Sequence, residues 1–204
     1  EMSASLVGSE MCIRDRSLGV KVQYVPTTWK TLQADTMAGK FDIAMCGVTR
    51  TFAREQKMNM SHGYLTFGKT ILCRKADAKK FTSEADLNKK SVCVMVNPGG
   101  TNEKFALSNL PNCTLLVHPQ NAEIPALIAE GKADVMITET MEARRYVRDD
   151  ARLAAPLLDD PFTKNHFGIL MAKGDQDWLN YVNFFMEEKD MDGTLDKLED
   201  QYIK

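Results

Sequence analysis

The sequence has few of the features that mark membrane, nucleic-acid-binding or fibrous proteins. No apolar run approaches the roughly 20 residues that a membrane-spanning helix needs, and no tract of basic residues is present. Lys and Arg total 26 against 28 Asp and Glu, which gives a formal charge of -2. The lack of a long apolar run argues against a membrane span. Because no overall positive field exists to hold a polyanion, the charge balance argues against a nucleic-acid partner.

The composition is that of a globular protein. Of the 204 residues, 44% are hydrophobic and 26% are charged, which is enough apolar material to bury a core of one large or two small domains. Disordered and collagen-like classes are therefore excluded.

The cysteines are scattered, without a C-x-x-C pair or a histidine at ligand spacing. They are Cys12, Cys46, Cys73, Cys93 and Cys113. Their arrangement argues against a zinc site, and their odd number argues against a full disulfide framework. Cys93 and Cys113 lie in separate strand-like runs and could form a disulfide if those strands are neighbours. The interpretation as two buried thiols is favoured.

The hydrophobic pattern of the sequence changes at Gly19. Residues 1–16 show no sustained period and are excluded from the fold prediction. Beyond them, VKVQYV alternates like a strand, TLQADTMAGK indicates a short helix that ends at Gly39, and FDIAMCGVT indicates a second strand. This pattern predicts a parallel pair of strands joined by a crossover helix.

The middle and end of the chain continue as an α/β protein. Strand patterns occur in SVCVMV, CTLLVH and ADVMIT, and helix patterns follow them in NPGGTNEKFALSNL, NAEIPALIAEGK and TMEARRYVRDD. Two more helices, WLNYVNFFMEEK and TLDKLEDQYIK, end the chain. Residues 69–75 and 167–173 resemble adjacent strands that cross between two lobes. We expect a cleft at the carboxyl ends of the strands, where ligands bind in open sheets.

Two segments that follow strands have the composition of carboxylate-binding sites. In NPGGTNEKF, residues 97–105, glycines precede a helix whose first N–H groups could bind an anion at Thr101. The segment is neither G-x-G-x-x-G nor a phosphate loop, so a carboxylate suits it better than a nucleotide. In CGVTRTFAR, Arg54 could bind a carboxylate bidentately, while Thr49 and the Gly47 backbone supply polar contacts. The alternatives are an ordinary capped helix and a solvated arginine.

Glu139 and Glu142 lie three residues apart where a strand leads into a helix. Two close carboxyl groups disfavour double ionisation, so one could keep a proton and act as a general acid. From spacing alone we favour the alternative, an exposed pair between Glu142 and Arg145.

Trp29 and Tyr64, at strand-to-loop transitions, could line a pocket for a flat ring or belong to the core.

These segments resemble the type II periplasmic solute-binding proteins of the amino-acid-binding group. FDIAMCGVT, NPGGTNEKF and ADVMITETMEAR are most similar to an enzymatic branch of that family, the cyclohexadienyl dehydratases, and the resemblance covers residues 17–204. It implies an α/β, two-lobed type II fold with a central cleft. Lobe 1 would comprise residues 17–70 and 171–204, and lobe 2 residues 71–170. Family members begin with a further strand, loop and helix, and the resemblance implies that residues 1–16 are foreign sequence in place of this unit.

The resemblance also implies roles for particular residues. Glu142 would be the general acid, and Lys69 would bind a second carboxylate or orient Glu142. Arg54 would bind a carboxylate together with the Thr101 turn, and Thr49 and Gly47 would bind an amino group. Glu139 stands where the family usually has an Asp that meets the ligand's amino group. The remaining pocket residues would be Trp29, Asn97 and Asn102.

The implied activity is that of a periplasmic lyase without cofactor or metal. It would convert prephenate to phenylpyruvate and arogenate to phenylalanine, so its partner would be a small dicarboxylate. The alternative is a non-catalytic amino-acid-binding protein of an ABC transporter. The sequence leaves open whether the chain forms a homo-oligomer.

Overall fold

The computed structural model describes residues 18–45 and 47–203. The chain divides into two compact units: unit 1 contains the chain up to Thr66 and again from Asn165, and unit 2 is Phe67–Lys164. The division therefore falls four and six residues before the predicted boundaries at 70 and 170. In the part of the chain that is described, no helix combines the length and the apolar character that crossing a membrane requires.

Nine short strands occur along the described chain. They are β1 (Asn59–Met60), β2 (Leu65–Phe67), β3 (Lys69–Arg74), β4 (Cys93–Val96), β5 (Thr114–Val117), β6 (Val135–Glu139), β7 (Leu153–Ala154), β8 (Asn165–Phe167) and β9 (Leu170–Met171).

The α-helices of the described residues are α1 (Leu32–Met37), α2 (Phe52–Glu55), α3 (Glu84–Leu87), α4 (Thr101–Asn109), α5 (Ile124–Ala129), α6 (Thr140–Asp149), α7 (Gln176–Met191) and α8 (Thr194–Tyr202). The described residues also include two 3₁₀ turns, Lys75–Lys80 and Asn121–Glu123.

Unit 2 is built on one five-stranded sheet in the order β5-β4-β6-β3-β7. Strands β5, β4 and β6 are parallel, and β3 runs antiparallel to β6 and β7. Residues of β6 alternate between two hydrophobic clusters, one containing Val135 and Ile137 and the other Met136. Since alternate side chains of a strand point to opposite faces, both faces of the sheet are covered by a core.

Unit 1 has shorter strands and a core divided into two clusters. Strand β1 pairs antiparallel with β9, and β2 and β8 form a second two-stranded sheet. One cluster includes Leu32 and Met58, and the other packs α7 residues such as Phe185 against Met45.

The predicted strand–helix–strand unit at the start of unit 1 is only partly present. The helix is confirmed as α1, and Gly39 follows it with φ of 64°. Residues 20–25 form no strand, and Tyr24 is 63% exposed. The described residues between 41 and 49 contribute only isolated antiparallel bridges, from Ala44 to Leu170 and from Thr49 to Phe167. The parallel pair was therefore a wrong prediction, because a strand needs a ladder partner as well as an alternating pattern.

The predicted pairing of residues 69–75 with residues 167–173 is also wrong. Strand β3 pairs with β6 and β7 inside unit 2, and β9 pairs with β1 inside unit 1. Strand β3 is almost entirely buried, as a strand inside a sheet covered on both faces must be. It therefore pairs within the unit 2 sheet and not with residues 167–173.

Cys93 and Cys113 are free thiols, as is Cys73. The parallel strands β4 and β5 are indeed neighbours, with Cys93 opposite Thr114. Cys93, however, packs against the cluster on one face of the sheet and Cys113 against the cluster on the other. A disulfide needs the two Cβ atoms to face each other, so the pairing fails, and both thiols are half-buried. Cys12 and Cys46 lie outside the described residues.

Candidate active site

Polar side chains collect at one edge of the unit 2 sheet. Strand β6 ends at Glu139, and β4 is followed at once by Asn97. Because β3 runs antiparallel to β6, its first residue, Lys69, lies directly opposite Glu139. Helix α6 begins directly after β6, and helix α4 begins at Thr101, after the turn of residues 97–100 that follows β4. The topology therefore brings together residues that are far apart in the sequence.

Lys69 is the centre of this cluster. Its Nζ atom donates to Glu139 Oε1 at 2.6 Å, to Thr101 Oγ1 at 2.7 Å and to Asn102 Oδ1 at 2.5 Å. The side chains of Lys69 and Glu139 are only 4% and 12% exposed. An ammonium has three protons to donate, so all three are engaged. Such complete pairing is what makes a buried charge tolerable.

The turn before α4 is held by the amide of Asn97 and by Glu103 in the first turn of α4. Asn102 Nδ2 donates to Asn97 Oδ1 at 3.4 Å, and both residues are buried. A Cβ atom at Gly100 would lie 3.2 Å from Asn97 Nδ2, so a side chain there would require this amide to shift. The N–H of Gly99 donates to Glu103 Oε2 at 2.7 Å. A carboxylate of the chain thus already bonds one donor of the turn, and binding of an external anion here stays a prediction.

Glu142 lies in the first turn of α6 and is partly buried. Thr138 Oγ1 donates to its Oε2 atom at 2.6 Å. Burial raises the pKa of Glu142 to about 7, the nearby charge of Glu139 adds to the increase, and the Thr138 hydrogen bond and Lys69 oppose it. This carboxyl group is therefore protonated in a large fraction of molecules near neutral pH.

The exposed pair that spacing favoured for Glu142 is not what forms. Arg145 makes an ion pair with Asp149 at 3.4 Å, and Glu142 turns toward the end of β6. The interpretation of Glu142 as a solvated surface charge was therefore wrong. Helix spacing alone does not show which side of α6 faces the sheet.

Tyr146 and Thr138 are site neighbours that the sequence interpretation missed. Tyr146 lies one turn after Glu142 and packs partly buried against a core cluster. Burial and the charge of Glu142 raise the pKa of its hydroxyl well above the ordinary value of 10.0. The i, i+4 spacing from Glu142 could have identified Tyr146, because such residues share a helix face. Thr138 is fully buried in β6, and no motif marks it.

Unit 1 brings three other predicted residues together. Arg54 Nη1 donates to the carbonyl oxygen of Thr49 at 2.6 Å. Thr51 caps α2 by accepting from the N–H of Arg54 at 3.2 Å. Gly47 has φ of 68°, and a Cβ atom there would lie 3.5 Å from the Phe167 ring. Arg54 is thus half-buried and oriented by the backbone, and its role with a ligand stays a prediction.

The two aromatic residues of unit 1 pack against hydrophobic neighbours. Trp29 is partly buried against the cluster that contains Leu32 and Met58. The ring centroids of Tyr64 and Phe167 lie 6.4 Å apart. These contacts fit core packing, and a role for Trp29 in ligand binding stays a prediction.

No group of three or more His, Cys, Asp or Glu side chains within residues 18–45 and 47–203 could hold a metal ion. The cluster around Lys69 instead offers one carboxyl group with a raised pKa, one ion pair and two amide side chains. Together they could donate a proton and hydrogen-bond a polar ligand.

Comparison with known proteins identifies the family. The model of the bacterial extracellular solute-binding proteins, family 3, matches residues 13–204. The chain belongs to this family and has the type II periplasmic-binding-protein fold, so the predicted family and fold class are confirmed. The match includes residues 13–16, which were expected to lie outside the family sequence.

Similar proteins include both enzymes and binding proteins. A cyclohexadienyl dehydratase of Pseudomonas aeruginosa is 36% identical to this chain. The aligned region covers 88% of this chain and 66% of that protein. The crystal structure of an ancestral cyclohexadienyl dehydratase is 49% identical, with a TM-score of 0.55, over 97% of this chain and 82% of that one. An ancestral amino acid-binding protein, a precursor of cyclohexadienyl dehydratase, is 36% identical, with a TM-score of 0.89, over 98% of this chain and 84% of that one.

Proposed function

We propose that this family 3 solute-binding protein is a periplasmic cyclohexadienyl dehydratase. The observation that carries the proposal is the Glu142 carboxyl group, whose pKa is raised to about 7. A general acid is most effective when its pKa lies near the working pH. A protein that only binds an amino acid needs no proton at this position. The similarity to dehydratases supports the same conclusion.

The reaction would consist of one proton transfer and two bond cleavages. Glu142 donates its proton to the ring hydroxyl of prephenate as the carbon–oxygen bond breaks, and water leaves. The bond between the ring and its carboxylate breaks at the same stage and releases carbon dioxide, and its electron pair completes the aromatic ring. Phenylpyruvate is the product, and the same steps convert arogenate to phenylalanine. The reaction transfers no electrons to or from an external group, so the proposal includes no cofactor.

Arg54 together with the Thr101 turn would hold a carboxylate of the substrate, as the resemblance implies. In unit 1, the Arg54 guanidinium is half-buried and anchored to the carbonyl of Thr49, which suits bidentate binding of a carboxylate. In unit 2, the start of α4 at Thr101 offers backbone N–H groups. We assign binding of this carboxylate to these two groups, and further substrate contacts to Trp29, Gly47, Asn97 and Asn102.

Lys69 would act mainly as a positioning residue for Glu139. Its three protons are engaged by Glu139, Thr101 and Asn102, so it holds the Glu139 carboxylate near Glu142. That negative charge is one of the causes of the raised pKa of Glu142. Lys69 thus orients the group that keeps the general acid protonated, which matches the second of the two roles that the resemblance implies.

The second candidate function is a non-catalytic amino-acid-binding protein of a transporter. The specific observation in its favour is the TM-score of 0.89 against an ancestral amino acid-binding protein. Both functions use one fold, so fold similarity cannot decide between them. The two functions can be distinguished by the protonation state of Glu142 and by a test for turnover of prephenate.

Glu142→Gln tests the proposal directly. Glutamine keeps the shape and can still accept from Thr138, but it has no proton to transfer. We expect turnover of prephenate, followed by the absorbance of phenylpyruvate, to fall on the order of 10²–10⁴-fold with little change in binding. Activity of the parent should decline as the pH rises through about 7, where Glu142 loses its proton.

Glu130→Gln is the matched control, because Glu130 is an exposed carboxylate of the same unit. It should keep the activity and the pH profile of the parent. Full activity in Glu142→Gln would exclude the acid mechanism. Binding of amino acids without any formation of phenylpyruvate by the parent would favour the transporter function.

A further inference from the structure

The ion pair between Lys69 and Glu139 bears on the substrate of the proposed reaction. Prephenate and arogenate differ at one place, where the first has a carbonyl group and the second a protonated amino group. We infer that this chain selects the 2-oxo acid over the 2-amino acid and that Lys69 is the residue that determines this specificity. The inference rests on the proposed function and names the substrate class of the same site.

The first argument is the charge of the pair. A ligand ammonium group needs an anionic partner, and Glu139 is a buried carboxylate at the site edge. Its Oε1 atom already accepts from Lys69 at 2.6 Å, within a pair whose side chains are only 4% and 12% exposed. The internal ammonium of Lys69 thus supplies the positive charge that a ligand amino group would otherwise bring. A second ammonium at Glu139 would be repelled by Lys69 at short range.

The second argument is that Lys69 cannot give way at low cost. Its Nζ atom also donates to Thr101 and Asn102. Moving the lysine aside for a ligand amine would remove its hydrogen bond to the buried Asn102 Oδ1 and its hydrogen bond to Thr101. Buried polar groups that lose their partners are costly. A ligand that leaves the pair intact is therefore favoured.

The third argument is that the neighbouring groups suit a carbonyl oxygen. Asn102 is buried beside Lys69 and donates one amide N–H to Asn97 at 3.4 Å. An amide side chain carries two N–H donors, so Asn102 can also donate to an oxygen of the ligand. A 2-oxo acid presents an acceptor at the point where a 2-amino acid presents a second positively charged donor.

The test compares paired ligands on the parent protein. Calorimetric titration with phenylpyruvate and L-phenylalanine isolates the difference between carbonyl and amino group, and kcat/KM for prephenate and arogenate gives the same comparison during turnover. We expect about tenfold or more in favour of the oxo compound in both, because the like charges of Lys69 and a ligand ammonium disfavour binding of the amino compound. Equal binding of the two ligands would overturn the inference.

Two variants should shift this preference in opposite directions. Lys69→Met frees the Glu139 carboxylate for a ligand amino group, so the oxo-to-amino affinity ratio should fall about tenfold or more. Glu139→Gln leaves the Lys69 ammonium uncompensated, so the ratio should rise. A purely structural role would weaken both ligands alike and leave the ratio unchanged, which would contradict the inference. Lys132→Met, an exposed lysine of unit 2, is the matched control and should leave the ratio as in the parent.

The outcomes separate this inference from the proposed function. If neither prephenate nor arogenate is turned over while phenylpyruvate still binds more tightly than phenylalanine, the dehydratase function is wrong and the selectivity stands. If prephenate and arogenate are turned over equally well, the function stands and the selectivity is wrong. The Glu139→Gln variant and the parent suffice for the decision if Lys69→Met does not fold.

Discussion

Glu142 should make the protein less stable as the pH rises, and Glu142→Gln should remove this loss. Its carboxyl group has an ordinary pKa of 4.5 and a pKa of about 7 in the folded protein. Below about pH 4.5 the group is protonated in both the folded and the unfolded chain, so it does not lower the free energy of unfolding. Between these two values the unfolded chain releases the proton first, so the free energy of unfolding declines as the pH rises. Above about pH 7 the loss is complete.

The size of the effect follows from the difference between the two pKa values. At about 1.4 kcal/mol per pH unit, the difference between 4.5 and about 7 corresponds to roughly 3 kcal/mol. Glu142 is only partly buried, so solvent screens some of this, and we expect about 1–2 kcal/mol. Glutamine accepts the Thr138 hydrogen bond without carrying a charge. Glu142→Gln should therefore be more stable than the parent by that amount at pH 8.

Urea unfolding of the parent and the variant at pH 4 and pH 8 measures this difference. At pH 4 the two proteins should unfold at the same urea concentration, and at pH 8 the midpoint of the variant should be higher. Glu130→Gln, at an exposed site, should show no such change with pH. A Glu142→Gln protein that is no more stable than the parent at pH 8 would refute the raised pKa, and with it the reason for assigning the acid. Loss of turnover together with a gain in stability is the expected combination for a functional group.

The strands and helices of unit 2 were largely predictable, because each one is specified locally. The apolar runs that contain β4 and β6 are bounded by turn residues, and a helix pattern follows each of them. Unit 1 was less predictable, since residues 20–25 alternate as a strand does yet form none. Alternation reports only that a segment could be half-buried in a sheet. A partner strand is a property of the whole fold.

The site could be predicted only in part for the same reason. Family resemblance identified Lys69 and Glu139, but their ion pair joins residues separated by 70 positions. It depends on β3 running antiparallel to β6 in one particular register. Spacing along the helix favoured an exposed pair for Glu142, because spacing within one element cannot show which face the sheet covers. Residue types were thus predictable, whereas their partners required the topology.

Two further predictions concern residues of unit 1. Arg54→Ala should weaken substrate binding by about 1.5–3 kcal/mol, the scale of a lost charge-assisted hydrogen bond, and Arg54→Lys should restore only part of it, since an ammonium lacks the planar fork. Calorimetric titration measures both variants, and unchanged binding in Arg54→Ala would move the carboxylate site elsewhere. Asp35 accepts from Lys40 at 2.6 Å and from Thr27 at 2.7 Å, and these hydrogen bonds, with that of Lys40 first, lower its pKa from 3.8 to about 2. The stability that Asp35 contributes is present above about pH 4 and is lost as the pH falls toward 2. Asp35→Asn should therefore lower the urea midpoint at pH 7, and the difference from the parent should shrink on acidification; a difference independent of pH would show that the charge of Asp35 contributes nothing.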